Sequence, residues 1–207
     1  MKVEGRVGAI TGAAASVNAL RMHTDGALVT RTSAAKYTDA VLAGRVYVGC
    51  NQAAVALTAA MATTYTGLVL FNPATSGKNY ILLRFGYSFT VAVPTATVIG
   101  LMTGTVVTAV TMDAASAVTP RNRFVGAANG SAAILDNACT LNGTPVLEQV
   151  FGQGHTVATT AAAVGSVTDI DLDGSMIIKP SSYVAVYSFA ANSASAICSF
   201  MWEEVDV

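Results

Sequence analysis

The chain has 207 residues, of which 53% are hydrophobic and only 11% charged. Disordered chains are polar and charge-rich, and freely soluble monomers carry roughly 25–35% Lys, Arg, Glu and Asp on their surfaces. Neither class fits, so part of the uncharged surface is expected to lie against other subunits. A net charge of −1 speaks against a broad polyanion-binding surface. The charge is nevertheless split: residues 1–45 hold six basic and three acidic side chains, net +3, and the remainder is net −4. Three cysteines far apart (Cys50, Cys139 and Cys198) do not make a disulfide framework. Buried free thiols in a protein made in a reducing cytosol are the simplest reading. The start lacks the continuous apolar core of a signal peptide, so secretion by that route is not expected. Residues 46–77 and 85–112 are uncharged. Both are interrupted by Thr, Asn, Gly and Pro, and neither is the run of about 20 apolar residues that a membrane helix needs.

In chain order, residues 1–43 read as an arm, broken by Gly5, Gly8, Gly12 and Gly26, with short helical turns expected at 13–20 and 33–42. From Arg45 the pattern changes to strands. Val and Thr restrict χ1 and favour extended chain, and glycines come too often for long helices. Strands are expected at 45–50, 66–72 and 80–93, the last with a kink at Gly86. Residues 53–62 read as a helical turn or loop, and 76–79 as a turn. Segments 97–102 and 105–112 flank Gly104 as in a hairpin. Residues 113–129 read as looser. Further strands are expected at 132–140, 145–151, 168–172, 175–178, 183–190 and 194–205, with Asp173-Gly174 as a turn between the fourth and third from last. Nine to eleven short strands at this spacing predict a sandwich or barrel. In 183–189, Tyr183, Ala185, Tyr187 and Phe189 share one face by the two-residue period and Val184 and Val186 the other. Both faces are apolar, so the strand is expected to be covered twice, the second time by a neighbouring subunit.

Several motifs suggest chemistry. AITGAAASVN at 9–18 resembles the opening of a short-chain dehydrogenase, but Ser16 and Asn18 stand where the second and third glycines of the phosphate loop belong. No YxxxK follows, and the chain continues β after β. DIDLDG at 169–174 matches the start of a calcium loop. The twelfth position, which needs a bidentate Glu, is Pro180. Asp169, Asp171 and Asp173 therefore stand as weak cation candidates within a strand entering a turn, and no metal or other cofactor is assigned. The histidines are His23 and His155. No GxSxG elbow exists, and only a pairing of His155 with Cys139 or Cys198 would offer nucleophilic chemistry. Glu203 and Glu204 are adjacent and point to opposite faces of a strand, so they form no glycosidase pair. The protein is not expected to be an enzyme. Arg121-Asn-Arg123 is the densest basic spot outside the arm. Two arginines are too few for a phosphate track, and no nucleic acid is expected. The arm's Lys2, Arg6, Arg21, Arg31 and Lys36 read as partner-binding residues facing an acidic protein surface.

Three stretches carry a resemblance: YTGLVLFNP at 65–73, GKNYILLRFGYSF at 77–89, and DGSMIIKPSSYVAVYSFAANSASAICSFMWEEV at 173–205. From residue 65 to 207 the chain resembles virion-associated jelly-roll proteins of tailed bacteriophages, of the head-decoration (cement) type. The resemblance implies an all-β, jelly-roll-like antiparallel β-sandwich at 44–207 behind an extended N-terminal arm at 1–43. It also implies a homotrimer in the virion, assembled in the host cytoplasm, that binds the major capsid protein and stabilises the shell. The alternative reading is a tail-fibre or spike module that recognises host surface glycans.

Overall fold

The structure, a computed structural model, describes residues 35–90, 97–105, 111–112, 116–141, 143–154 and 168–207. The chain divides into two units, Met1–Thr38 and Asp39–Val207, and the second carries the fold. Among the described residues a short helix, α1 (Thr38–Leu42), is followed by β1 (Val46–Cys50), β2 (Val55–Leu57), β3 (Thr64–Asn72), β4 (Lys78–Phe89) and β5 (Thr97–Thr105). The two-residue strands β6 (Thr111–Met112), β7 (Ala117–Val118) and β8 (Arg121–Asn122) follow. The chain closes with β9 (Ile134–Thr140), β10 (Val146–Gly154), β11 (Thr168–Ile178), β12 (Ser182–Ser188) and β13 (Asn192–Asp206). The expected all-β class is what the chain adopts.

All strand ladders are antiparallel. One sheet runs β11-β4-β13-β1-β8, with β2 also on β13; the other runs β10-β5-β12-β3-β9-β6, with β7 on β9. The strands β1, β3, β4, β5, β10, β11, β12 and β13 can be numbered one to eight along the chain. Their order is then 1-8-3-6 in the first sheet and 2-7-4-5 in the second, which the seven-residue β9, left out of this numbering, continues beyond β3. Sequence-adjacent strands thus tend to alternate between layers, which makes the contacts non-local.

Period-two patterning builds the core. On β13, Ala196, Cys198, Phe200 and Trp202 point inward and are buried, and Ile197, Ser199 and Met201 point out. The inward set meets Leu68, Leu70, Leu101, Val184 and Val186 from the second sheet in one interlayer cluster. The Phe85 ring lies 5.4 Å from Phe200 and 5.5 Å from Phe151, an aromatic seam down the middle of the layer. Such pairs add about 0.5–1.5 kcal/mol each beyond the area they bury.

The far face of the second sheet is buried as well. Val69, Phe71, Met102, Tyr183, Ala185 and Tyr187 form a second cluster there, and every residue of β12 is buried. The expectation of a neighbouring subunit over β12 is corrected here: a single chain closes both faces of this strand. Phe189 lies beyond the strand end and is exposed.

Four local expectations also change. Gly104 makes no hairpin; β5 runs through it, because the Tyr183 ring of the neighbouring strand lies over the bare glycine position. Asp173-Gly174 does not separate two strands; it forms a wide bulge inside β11, where four residues face Leu83 alone. Both bulge residues have positive φ (+50° and +77°), a region that Asp tolerates and Gly adopts freely. The irregularity of β4 against β13 falls at Leu83, and Gly86 pairs regularly with Ser199. Residues 53–62 contain the short strand β2 and a bridge from Ala59 to Ser188. The expected turn at 13–20 and the ends of two expected strands (residues 91–93 and 106–110) lie outside the described residues.

Candidate docking surface

The outer face of the first sheet differs from that of the second. Register aligns Val48, Met201 and Arg84 across β1, β13 and β4, and Cys50, Ser199 and Gly86 one step along. Small residues on the central strands lower the floor between taller neighbours. A recess of 340 Å³ results, with Gly86, Ser88 and Ser199 in its lining and Val48, Ile197 and Met201 as apolar walls. Arg84 Nη1 reaches Asp169 Oδ2 across the β4–β11 ladder at 2.9 Å, so this guanidinium is already matched. A second recess, of 440 Å³, lies beside it, lined by Pro120, Arg121, Asn122, Val125 and Asn129. Val48 and Arg123 line both recesses. Both sit at the small end of the range for ligand pockets, and both open to solvent.

The loop after β8 forms the wall of the second recess. Its foot is tied by side chains suited to turns. Asn122 Nδ2 donates to Gly44 O at 2.9 Å, and Asn122 Oδ1 accepts from the Phe124 N–H at 2.8 Å. Asn129 Nδ2 donates to Pro120 O at 2.5 Å. The backbone N–H of Ala127 closes on Phe124 O at 2.9 Å, and that of Arg123 on Val46 O at 2.9 Å. On this tethered frame Phe124 is 47% exposed and Val125 91% exposed. Arg121 and Arg123 are exposed, and among the described residues neither guanidinium is paired with a carboxylate. A fixed loop that shows two bulky apolar side chains beside two unmatched cations is suited to binding a partner. Sequence reading marked Arg121 and Arg123 as the densest basic spot but missed Phe124 and Val125. The available signal was the RNRFV run inside a stretch rich in Gly, Ala and Asn.

Of the residues singled out from the sequence, Lys2, Arg6, Arg21, Arg31, His23 and His155 lie outside the described residues. Lys36 is exposed, and its Nζ sits 5.2 Å from the Tyr37 ring centre. Asp169, Asp171 and Asp173 do not converge: Asp169 is engaged by Arg84, and Asp171 Oδ1 accepts from the Asp173 N–H at 3.3 Å inside the bulge. No group of three or more His, Cys, Asp or Glu close enough to hold a metal occurs among the described residues. Cys139 and Cys198 belong to different clusters on different sheets. Burial pushes both thiols up to about 12, which removes thiolate at neutral pH. No helix among the described residues is long and apolar enough to cross a membrane.

The adjacent glutamates do face opposite ways. Glu203 pairs with Arg45 at 2.8 Å. Glu204 is 3% exposed and accepts from Ser131 Oγ at 2.6 Å and from Trp202 Nε1 at 3.3 Å. Burial first, and the Glu204 charge second, raise the pKa of Tyr80 and of Tyr47. This buried acid is spent on fixing Trp202 and the segment before β9, and it faces no recess described here. No family model, no curated protein and no solved structure matches the chain.

Proposed function

We propose that this chain is a structural virion protein of a tailed phage, which binds the major capsid protein and stabilises the assembled head. The observation that carries the reading is the strand order, 1-8-3-6 over 2-7-4-5. With β9 and the four short strands β2, β6, β7 and β8 set aside, this order matches that of an eight-stranded jelly roll, an architecture used in viral shells and in lectins, and β9 is an addition to the second sheet. The phage-like stretches at 65–73, 77–89 and 173–205 support the same assignment. The interlayer space is filled by Trp202, Phe85, Phe200 and their neighbours, and the recesses lie on the outside, as suits a docking module.

Self-association into a trimer is part of the proposal. Val146 and Val150 are exposed on β10 and Ile177 on β11, at one edge of each sheet. Exposed apolar side chains on edge strands invite a partner. Stabilisation would follow mass action: a ligand that binds only the assembled state adds about 2.7 kcal/mol at a hundred times its Kd. The basic residues of 1–45 would supply steering towards an acidic shell.

The test is the mass of the purified protein in solution, repeated as co-sedimentation with empty heads of the phage that encodes it. A stable oligomer that sediments with heads, and ceases to when residues 1–43 are removed, supports the reading. A monomer that leaves heads untouched overturns it and moves the glycan-binding alternative to the front.

A further inference from the structure

We infer that the loop at 121–129, with the two recesses it borders, is a docking surface for an extended acidic segment of a partner protein. This deepens the reading above, since the segment would belong to the shell protein, and it rests on that reading only for the partner's identity. Charge complementarity selects the occupant. Arg84 is matched by Asp169, whereas Arg121 and Arg123 are exposed without a carboxylate among the described residues. The carboxylates of β11, Asp169 and Asp171, lie at the opposite edge of this sheet from β8, so the charge bordering the second recess is positive, and Arg123 stands on the boundary shared by the two recesses.

Shape selects an extended chain. The two recesses follow one another along the outer face of β8, β1 and β13, each with room for one or two side chains. Successive outward side chains of an extended segment would enter them in turn. Phe124 and Val125 offer apolar contact at one end, and Met201 and Ile197 at the other. Aromatic and Arg side chains are the usual anchors of such contacts. The tethered loop foot means that little ordering is left to do on binding.

The probe is a short acidic peptide containing two leucines, beside counterparts with lysine or glutamine in place of each acid. Amide shifts of the full-length protein would be followed by NMR during titration. The expected result is a set of shifts confined to 119–129 and the outward positions of β1 and β13, produced by the acidic peptide and weakened by salt. Arg121→Glu with Arg123→Glu should weaken that peptide about tenfold or more and bind the lysine peptide instead. Both substitutions are on exposed side chains, so unchanged Trp202 emission will show that the fold persists. Equal shifts from all three peptides, or shifts elsewhere, overturn the inference. Head co-sedimentation separates the two readings. If wild type and the double variant bind heads alike, the surface is wrong and the decoration role stands. If the acidic peptide binds at the loop but heads are ignored, the surface stands and the decoration role falls.

Discussion

Gly104 is the sharpest test of how the second sheet is closed. It lies inside β5 opposite Tyr183 of β12. A Cβ built at this position would contact Tyr183 Oη and lie 2.5 Å from Cζ and 2.7 Å from Cε1. Contact between carbons begins near 3.5 Å, so the overlap is close to 1 Å. Tyr183 is fully buried, so the ring is hemmed in by its neighbours. Overpacking of this kind costs about 1–3 kcal/mol, offset by about 0.5–1 kcal/mol from replacing Gly in a strand. Gly104→Ala should therefore lower stability by up to about 2.5 kcal/mol, with about 1 kcal/mol at the middle of the range, or a few degrees in Tm for a chain of this size. Urea unfolding followed by the emission of the single Trp202 measures it. The control is Gly130→Ala, whose added Cβ meets only Tyr47 Oη at 3.8 Å; it should change stability by less than about 0.5 kcal/mol. In a Tyr183→Leu background the atoms that clash are gone, and Gly104→Ala should become neutral or slightly favourable. The same cost in both backgrounds, with no coupling between the two positions, would refute the claim that the tyrosine ring occupies the glycine position.

Three further outcomes follow from buried polar groups. Tyr183 Oη is buried with no hydrogen-bond partner among the described residues, so Tyr183→Phe removes an unsatisfied hydroxyl and should leave stability unchanged or raise it slightly; a loss above 1 kcal/mol by urea titration would contradict this. Glu204→Ala strips the acceptor from Ser131 Oγ and Trp202 Nε1 and should cost about 1–3 kcal/mol with a shift in Trp202 emission, while Glu204→Gln keeps an acceptor and should cost less than half as much; equal costs would show that the carboxylate is not the acceptor that matters. Thiols ionise near 8.5 in the unfolded chain, whereas Cys139 and Cys198 hold their protons to about 12 in the native state. The native state then binds more protons between these values, so stability is fully present below about pH 8.5 and falls as pH rises towards 12, by about 1.4 kcal/mol per pH unit per thiol. Urea titrations at pH 8 and pH 10 should show the fall, and Cys139→Ala with Cys198→Ala should flatten it.

The elements legible in the sequence are those where period two and β-branched residues coincide. VYVGC, TGLVLFN and YVAVY became β1, β3 and β12 within two residues of their expected bounds. The misreadings have one physical source: a glycine reports freedom, and the tertiary partner decides what that freedom is for. At Gly104 it admits an aromatic ring from the next strand; at Gly174 it completes a bulge; at Gly86 it lowers the floor of a recess. None of these uses is written in the local sequence. The docking surface was half legible for a similar reason. Arg121 and Arg123 stood out as cations, but Phe124 and Val125 would by default be assigned to a core. The hydrogen bonds of Asn122 and Asn129, with those of the Arg123 and Ala127 backbone N–H groups, tether the loop that holds them outside it. Alternation put Glu203 and Glu204 on opposite faces of β13, but the burial of Glu204 against Trp202 depends on Ser131, more than seventy residues away along the chain.

The two outer faces of the sandwich divide the work between them. A two-layer β fold has a buried interlayer and two faces that must each be covered or made polar. The face of the second sheet takes the first course: Val69, Met102, Tyr183 and Ala185 are fully buried in one chain. That closure lays aromatic side chains over glycines, Tyr183 over Gly104 and Tyr65 over Gly67. The face of the first sheet takes neither course completely. It alternates Ser199 and Gly86 with Met201, Val48 and Ile197; Arg84 is matched by Asp169 and Arg45 by Glu203, Asp171 stands opposite Arg84, and Arg121 and Arg123 at the β8 end have no carboxylate partner among the described residues. A surface kept soluble by repulsion would spread like charges evenly; here the unmatched cations and the exposed Phe124 and Val125 are gathered on a single tethered loop. The proposed docking surface thus falls on one face and one loop, and reversing two arginines tests it without disturbing the layer beneath.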